Sequence, residues 1–143
     1  MKKYKIIENN ITYDIIEYDG GPKFWLLNDI FHREIGPAIE WSDGGKSWYK
    51  NGNLHRDNGP AVEHINGDKS WYLNGEQHRD DGPAVEHISG YKAWFKNNKL
   101  HRDDGPAVEN NDGSIGYWYN NAHLEHIHSD EELIRYIKLL SIS

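Results

Sequence analysis

The chain has 143 residues, with 16 Lys and Arg against 23 Asp and Glu, no Cys and 36% hydrophobic residues. A formal charge of −7 disfavours nucleic acid and anionic bilayers, which attract clustered Lys and Arg, and the lack of Cys removes disulfide scaffolds, thiolate catalysis and Cys-based zinc sites. With 6 Trp, 9 Tyr and 3 Phe the chain is too aromatic to stay disordered, so one soluble domain is expected, its core thin or repetitive and built from rings.

In chain order, Met1-Lys2-Lys3 leads into Tyr4, Lys5, Ile6, Ile7 and Glu8. No signal-peptide apolar region follows the basic start and no apolar run is long enough to span a bilayer, which points to a cytoplasmic protein. Lys5-Ile6-Ile7 and Ile11 to Ile16, separated by Glu8-Asn9-Asn10, predict a leading hairpin, so residues 1–18 form an N-terminal β cap. Residues 19–125 carry a repeat. His32-Arg33, His55-Arg56, His78-Arg79 and His101-Arg102 recur every 23 residues, each followed by Gly-Pro-Ala, then Ile or Val, then Glu. Trp25, Trp48, Trp71 and Trp94 stand seven residues before these His, and Trp118 continues the series if one residue is inserted. About four units result.

Within a unit, residues 59–65 are short and β-prone, Asn66-Gly67 offers a two-residue hairpin turn, and Asp68 to Leu73 returns. Pairing outward from that turn sets Val62 opposite Trp71 and Glu63 opposite Ser70. The strand period of two then predicts one face with Trp25, Ile39, Trp48, Val62, Trp71, Val85, Trp94, Val108 and Trp118. The other face would hold Ala38, Ala61, Ala84 and Ala107 with Tyr49, Tyr72, Phe95 and Tyr119. The connection from Asn51 to Pro60 is expected to curl over one face. In residues 126–143, Ser129-Asp130-Glu131-Glu132 is a capping box opening a short helix whose Leu133, Ile137 and Leu140 cover the last hairpin. The expected fold is all-β: a tandem β-hairpin array forming an extended antiparallel sheet, with a β cap in front and a short α-helix behind.

From Trp48 the order Trp-Tyr-Lys-Asn-Gly-Asn-Leu-His-Arg-Asp-Asn-Gly, with Asn66-Gly67 before the next unit, resembles the MORN repeat, in a variant wording. The resemblance covers most of residues 19 to 125. It departs where the usual repeat continues His-Gly-x-Gly and this chain reads His-Arg-Asp-Asp-Gly-Pro at 78 to 83. The resemblance implies extended arrays of hairpins, scaffolding and protein partners, no enzymatic activity in the repeat itself and, in some members, binding of acidic phospholipids. Units so worded look like those of uncharacterised bacterial, phage and giant-virus proteins. Architectural roles carry over to Trp48, Asn51-Gly52, His55, Gly59 and their counterparts.

Equivalent His in successive hairpins are two strand spacings apart, about 10 Å, whereas zinc ligands lie ~2 Å from the ion, so His32, His55, His78 and His101 read as structural ties. His123, His126 and His128 form a closer cluster, with a polar junction before the helix as the alternative to a metal site. The Asp-rich loops lack the twelve-residue calcium spacing and its terminal Glu. A catalytic residue occurs once, while these residues recur in step with the fold, so no enzyme and no cofactor are expected. What remains is surface. Large exposed apolar stripes mark interaction sites, and Tyr and Trp are enriched in binding hot spots. The leading expectation is a protein-binding module using Tyr49, Tyr72, Phe95 and Tyr119, rimmed by Glu63 and Glu86. Against it stands the reading in which the connections cover those rings. The alternative function is an acidic mimic of nucleic acid, presenting Asp57, Asp80, Asp81, Asp103 and Asp104 to a host defence protein, or a nucleotide-sequestering inhibitor that stacks a base on a ring. An open array also permits pairing with another copy of itself.

Overall fold

Pairs of residues that tolerate a left-handed backbone punctuate the chain and set its strands. In the computed structural model, which describes residues 1–142, both residues of Asn9-Asn10, Asn28-Asp29, Asn51-Gly52, Asn74-Gly75, Asn97-Asn98 and Asn120-Asn121 have φ between 48° and 86°. That is the requirement of a two-residue type I′ turn, whose twist matches the strands it joins. The first such turn closes the seven-residue hairpin of β1 (Lys2–Glu8) and β2 (Ile11–Glu17). The second joins β3 (Lys23–Leu27) to β4 (Ile30–Phe31). Later ones close short hairpins that pair Tyr49–Lys50 with Asn53–Leu54, Phe95–Lys96 with Lys99–Leu100 and Trp118–Tyr119 with Ala122–His123. The stretch from Asn51 to Pro60, expected to be a connection curling over one face, is therefore partly a second hairpin of the repeat.

The Asn66-Gly67 turn is of another kind, which corrects the expected register. Only the glycine has positive φ, 94° at Gly67, as at Gly44, Gly90 and Gly113. Gly67 N–H donates to the His64 carbonyl at 3.0 Å and His64 N–H to the Asp68 carbonyl at 2.9 Å. The loop thus has three residues, a turn followed by glycine in the left-handed region. Glu63 faces Lys69 and Val62 faces Ser70, one residue away from the sequence-based pairing.

The chain divides into two compact units, Met1–Glu76 and a second beginning at Gln77. In the first, antiparallel neighbours run β1, β2, β3, then Ile39–Glu40, Lys46–Ser47, Val62–Glu63 and Lys69–Ser70. In the second they run Val85–Glu86, Lys92–Ala93, Val108–Glu109 and Ile115–Gly116. The fold is mostly β and built of antiparallel hairpins, with one short helix near the end of the described residues, as the sequence led us to expect.

Because a one-residue slip moves a whole strand to the opposite face, the corrected register re-sorts the side chains. Across the first unit Lys23, Glu40, Lys46, Glu63 and Lys69 lie in one row of alternating charge. Trp25, Trp48 and Trp71 are two residues further along and share that face. The residues beside the indoles are alanines, since Trp25 N–H donates to the Ala38 carbonyl and Trp48 N–H to that of Ala61, each at 2.8 Å. Phe24, Ile39, Ser47, Val62 and Ser70 form the neighbouring row on the other face. The expected Trp and Val stripe is therefore a Trp and Ala stripe. Small Ala is needed there, as Ala38, Ala61, Ala84 and Ala107 are all fully buried.

The period also holds at 23 to the end, with no insertion. Leu124 N–H donates to the Tyr117 carbonyl as His101 N–H does to that of Trp94, so Tyr117 takes the indole position. Trp118 instead takes the position of Phe95, and Tyr119 that of Lys96, which moves Trp118 out of the stripe assigned to it.

Each unit has its own core. In the first, Tyr13, Ile15, Trp25 and Ala38 are buried, with Ile6, Leu27, Phe31 and Tyr49 packed against them. In the second, Tyr117, Leu124, Ile127 and Leu133 are buried beneath α1 (Asp130–Leu140). Ser129 caps this helix by accepting the Glu132 N–H at 3.3 Å, and Glu132 reaches back to the His128 N–H at 2.7 Å, one residue before the cap. Leu133 is fully buried and Ile137 packs on the core, but Leu140 is 45% exposed and Tyr136 takes its expected place. Of the region 126–143, the last residue lies outside the described residues.

Candidate functional site

The His-Arg-x-x-Gly-Pro-Ala-Val-Glu wording of the repeat is explained by one guanidinium. Arg56 lies flat on the Trp48 ring, 3.9 Å from its centroid. Its Nη1 donates to the Pro60 carbonyl at 3.1 Å and to Glu63 at 2.7 Å. Arg33 repeats this on Trp25, at 4.0 Å, with bonds to Pro37 and Glu8. Arg102 repeats it on Trp94, at 4.1 Å, with bonds to Pro106 and Glu109. The glycine before Pro leaves room for this side chain: a Cβ on Gly59 would come within 3.2 Å of the Arg56 guanidinium, and one on Gly82 within 2.9 Å of that of Arg79. A stack of this kind contributes roughly 0.5–2 kcal/mol, more as it is desolvated. The arginines were missed as core residues by the sequence reading, although their fixed spacing to Trp, Gly and Glu carried the signal.

The histidines tie consecutive repeats together. His55 Nδ1 accepts the N–H of Asn74 at 3.1 Å, which places the ring proton of the neutral imidazole on Nε2, 3.0 Å from Asp57. His32 does the same with Asn51 and Glu34, His78 with Asn97 and Asp80, and His101 with Asn120 and Asp103. These rings are largely buried. At the chain's end His123 stacks on Trp118 at 4.5 Å, His126 meets the edge of Tyr136, and the His128 N–H is bonded to Glu132. Among the described residues no group of three or more His, Asp or Glu is placed to hold a metal ion.

The six residues expected to bind a partner are distributed as follows. Tyr49 is half-buried, 5.4 Å from the Phe31 ring, and burial together with the nearby Tyr72 pushes its hydroxyl pKa up. Tyr72 and Phe95 are half-buried as well. Tyr119 lies 4.7 Å from the His101 ring and packs toward the C-terminal core. Glu63 and Glu86 are both engaged by arginine, at 2.7 and 2.8 Å. The rings are thus neither fully covered nor aligned as one free stripe.

In each unit a concavity lies between His-Arg loops. In the second unit the loops at 78–83 and 101–106 bound an open cleft of about 620 Å³, lined by Arg79, Asp80, Asp81, Trp94, Phe95, Arg102, Asp103 and Asp104. Its counterpart in the first unit, about 80 Å³, is lined by Arg33, Glu34, Trp48, Tyr49, Arg56 and Asp57, each two periods earlier in the chain. The same positions of the repeat thus line both hollows, although the two differ in size. In the larger copy the Arg79 side chain holds the Asp81 carboxyl below the usual carboxylate range.

Comparison with family models, with curated proteins and with solved structures returns no match.

Proposed function

We propose that this chain is a non-enzymatic binding module of the MORN-variant kind, which engages a protein partner through the clefts between its His-Arg loops. The observation that carries the reading is the recurrence of one ring-lined cleft in register with the 23-residue period. A repeated concavity with aromatic walls suits recognition of an extended surface, since aromatic residues are enriched where binding energy concentrates. The wording of the units, which resembles phage and giant-virus proteins, makes a host protein the partner to seek and the cytoplasm the place to seek it. No helix among the described residues is long and apolar enough to cross a membrane. The acidic-mimic reading has less support, because the clefts that carry Asp57, Asp80, Asp81, Asp103 and Asp104 are also walled by Trp48, Tyr49, Trp94 and Phe95, rings that an imitation of phosphate charge does not need. The exposed edge of β1 leaves pairing with a second copy as a further proposal.

Crosslinking in a native host extract tests the reading. The wild-type chain is expected to retain a protein that the Tyr72→Ala and Phe95→Ala double variant loses, with an unchanged far-ultraviolet spectrum. Identical recovery by both would remove the ring-lined clefts from binding.

A further inference from the structure

The larger cleft carries more than a general capacity to bind, because its exposed charge is predominantly negative. Arg79 and Arg102 line it, yet their side chains are only 22% and 23% exposed and are committed to Glu86, Glu109 and their own loop carbonyls. The carboxylates of Asp80, Asp81, Asp103 and Asp104 are 82%, 85%, 60% and 79% exposed. Each is held in place by a histidine or arginine through one oxygen, Oδ1. The counter-charge therefore lies beneath the rim while the negative charge stands on it. Lys96 is the exposed cation of the lining, which leaves four carboxylates against one ammonium.

Spacing adds a second constraint. The loops precede Val85–Glu86 and Val108–Glu109, which flank Lys92–Ala93 on either side. The two acidic rims are thus two strand spacings apart, about 9.6 Å. A polyproline II segment advances about 9.3 Å in three residues, and it is recognised in other domains by ring-lined grooves. Resting on the binding-module reading, we infer that the cleft between the loops at 78–83 and 101–106 takes a basic polyproline II segment of the partner. Cationic side chains three residues apart would each meet one acidic rim, and the segment would lie across Trp94 and Phe95. A guanidinium suits the rim better than an ammonium, because its planar fork can bond a carboxylate in bidentate fashion and stack on a ring.

The test is calorimetric titration of the full chain with a peptide of Arg at every third position separated by Pro-Pro pairs, followed in parallel by tryptophan fluorescence. Saturable binding is expected, weakened about tenfold in Asp81→Asn/Asp104→Asn, in which the amide oxygen can still accept the arginine Nε–H. A peptide with citrulline for arginine, which keeps shape and removes charge, is expected to bind at least tenfold more weakly to the wild-type chain. That comparison needs no variant to fold. Moving the arginines to every fourth position is expected to weaken binding several-fold. Equal binding of the citrulline peptide, an unchanged double variant, or preference for an acidic peptide or an oligonucleotide would each overturn the inference. Retention of a protein from extract alongside failure of the arginine peptide sinks this inference and leaves the binding-module reading standing; failure of both sinks both.

Discussion

At the residue scale, the glycine of Gly-Pro and the guanidinium on the indole are one device. Gly59 has φ of 131° and a Cβ there would lie 3.2 Å from the Arg56 guanidinium, whereas Gly52 has φ of 80° and a Cβ there would meet open space. Gly52→Ala therefore bears only the left-handed penalty, roughly 1–2 kcal/mol. Gly59→Ala adds displacement of an arginine that stacks on Trp48 and bonds Glu63, so a loss of about 3 kcal/mol is expected. Urea unfolding of the two variants checks the order, and equal losses would mean that the stack adjusts freely. Glu8 offers a pH-dependent version of the same contact. The hydrogen bond from Arg33 holds its carboxyl below the ordinary 4.5, against the opposing effect of burial. Because the unfolded chain then binds more protons near that pH, the contact's support is full above pH 4.5 and is lost as the pH falls through the native value. Glu8→Gln is expected to be less stable than wild type at pH 7, with the gap closing as the pH falls below 4.5 and through the lowered native value; a gap independent of pH would assign the loss to packing alone.

At the scale of elements, the helix is held more by one side chain than by its length. An eleven-residue helix is marginal alone in water, and α1 buries Leu133 completely against Tyr117, Leu124 and Ile127. Leu133→Ala is expected to cost about 2–5 kcal/mol and to release the helix, read as lost helical ellipticity and faster amide exchange over residues 130–140. Tyr117 gives the same junction an alkaline limit. Burial first, then the bond it donates to Asp130 at 2.8 Å, pushes its pKa up to about 12 from 10.0. Raised in the native state, it contributes stability that is complete below pH 10 and lost as the pH rises toward 12. Tyr117→Phe is expected to flatten that alkaline limb. These elements also show how far the sequence could be read. The helix start was legible because Ser129 and Glu132 carry their meaning locally, whereas Leu140 and Tyr136 exchange roles through the tertiary packing of the helix. The hairpins were legible as hairpins, but the turn type was not: Asn66-Gly67 and Asn51-Gly52 read alike, and only the latter puts both residues at positive φ. The loops' acidic character was plain from sequence, while the burial of their arginines, which decides the sign of the cleft, depends on a stack formed across eight residues.

At the scale of the whole molecule, stability should follow the period and not the chain length. In repeat proteins each unit touches its neighbours, so total stability is close to a sum of unit and interface contributions. Removing residues 32–54, one full period, joins Phe31 to His55 and brings Arg56 to the place of Arg33, where Glu8 can accept its hydrogen bonds. The shortened chain is expected to fold cooperatively, with a lower urea midpoint and the same far-ultraviolet spectrum per residue. Removing residues 32–53 instead takes out 22 residues and shifts every following strand by one position. Val62–Glu63 would then have to take the place of Ile39–Glu40, which pair with Phe24 and Lys23 of β3 in the intact sheet, and such a slip would turn the Val row to the indole face and the Lys and Glu row to the other. That variant is expected to be unfolded or aggregated. Equal stability of the two deletions would show that the strands, most of them two residues long, do not transmit register from one repeat to the next.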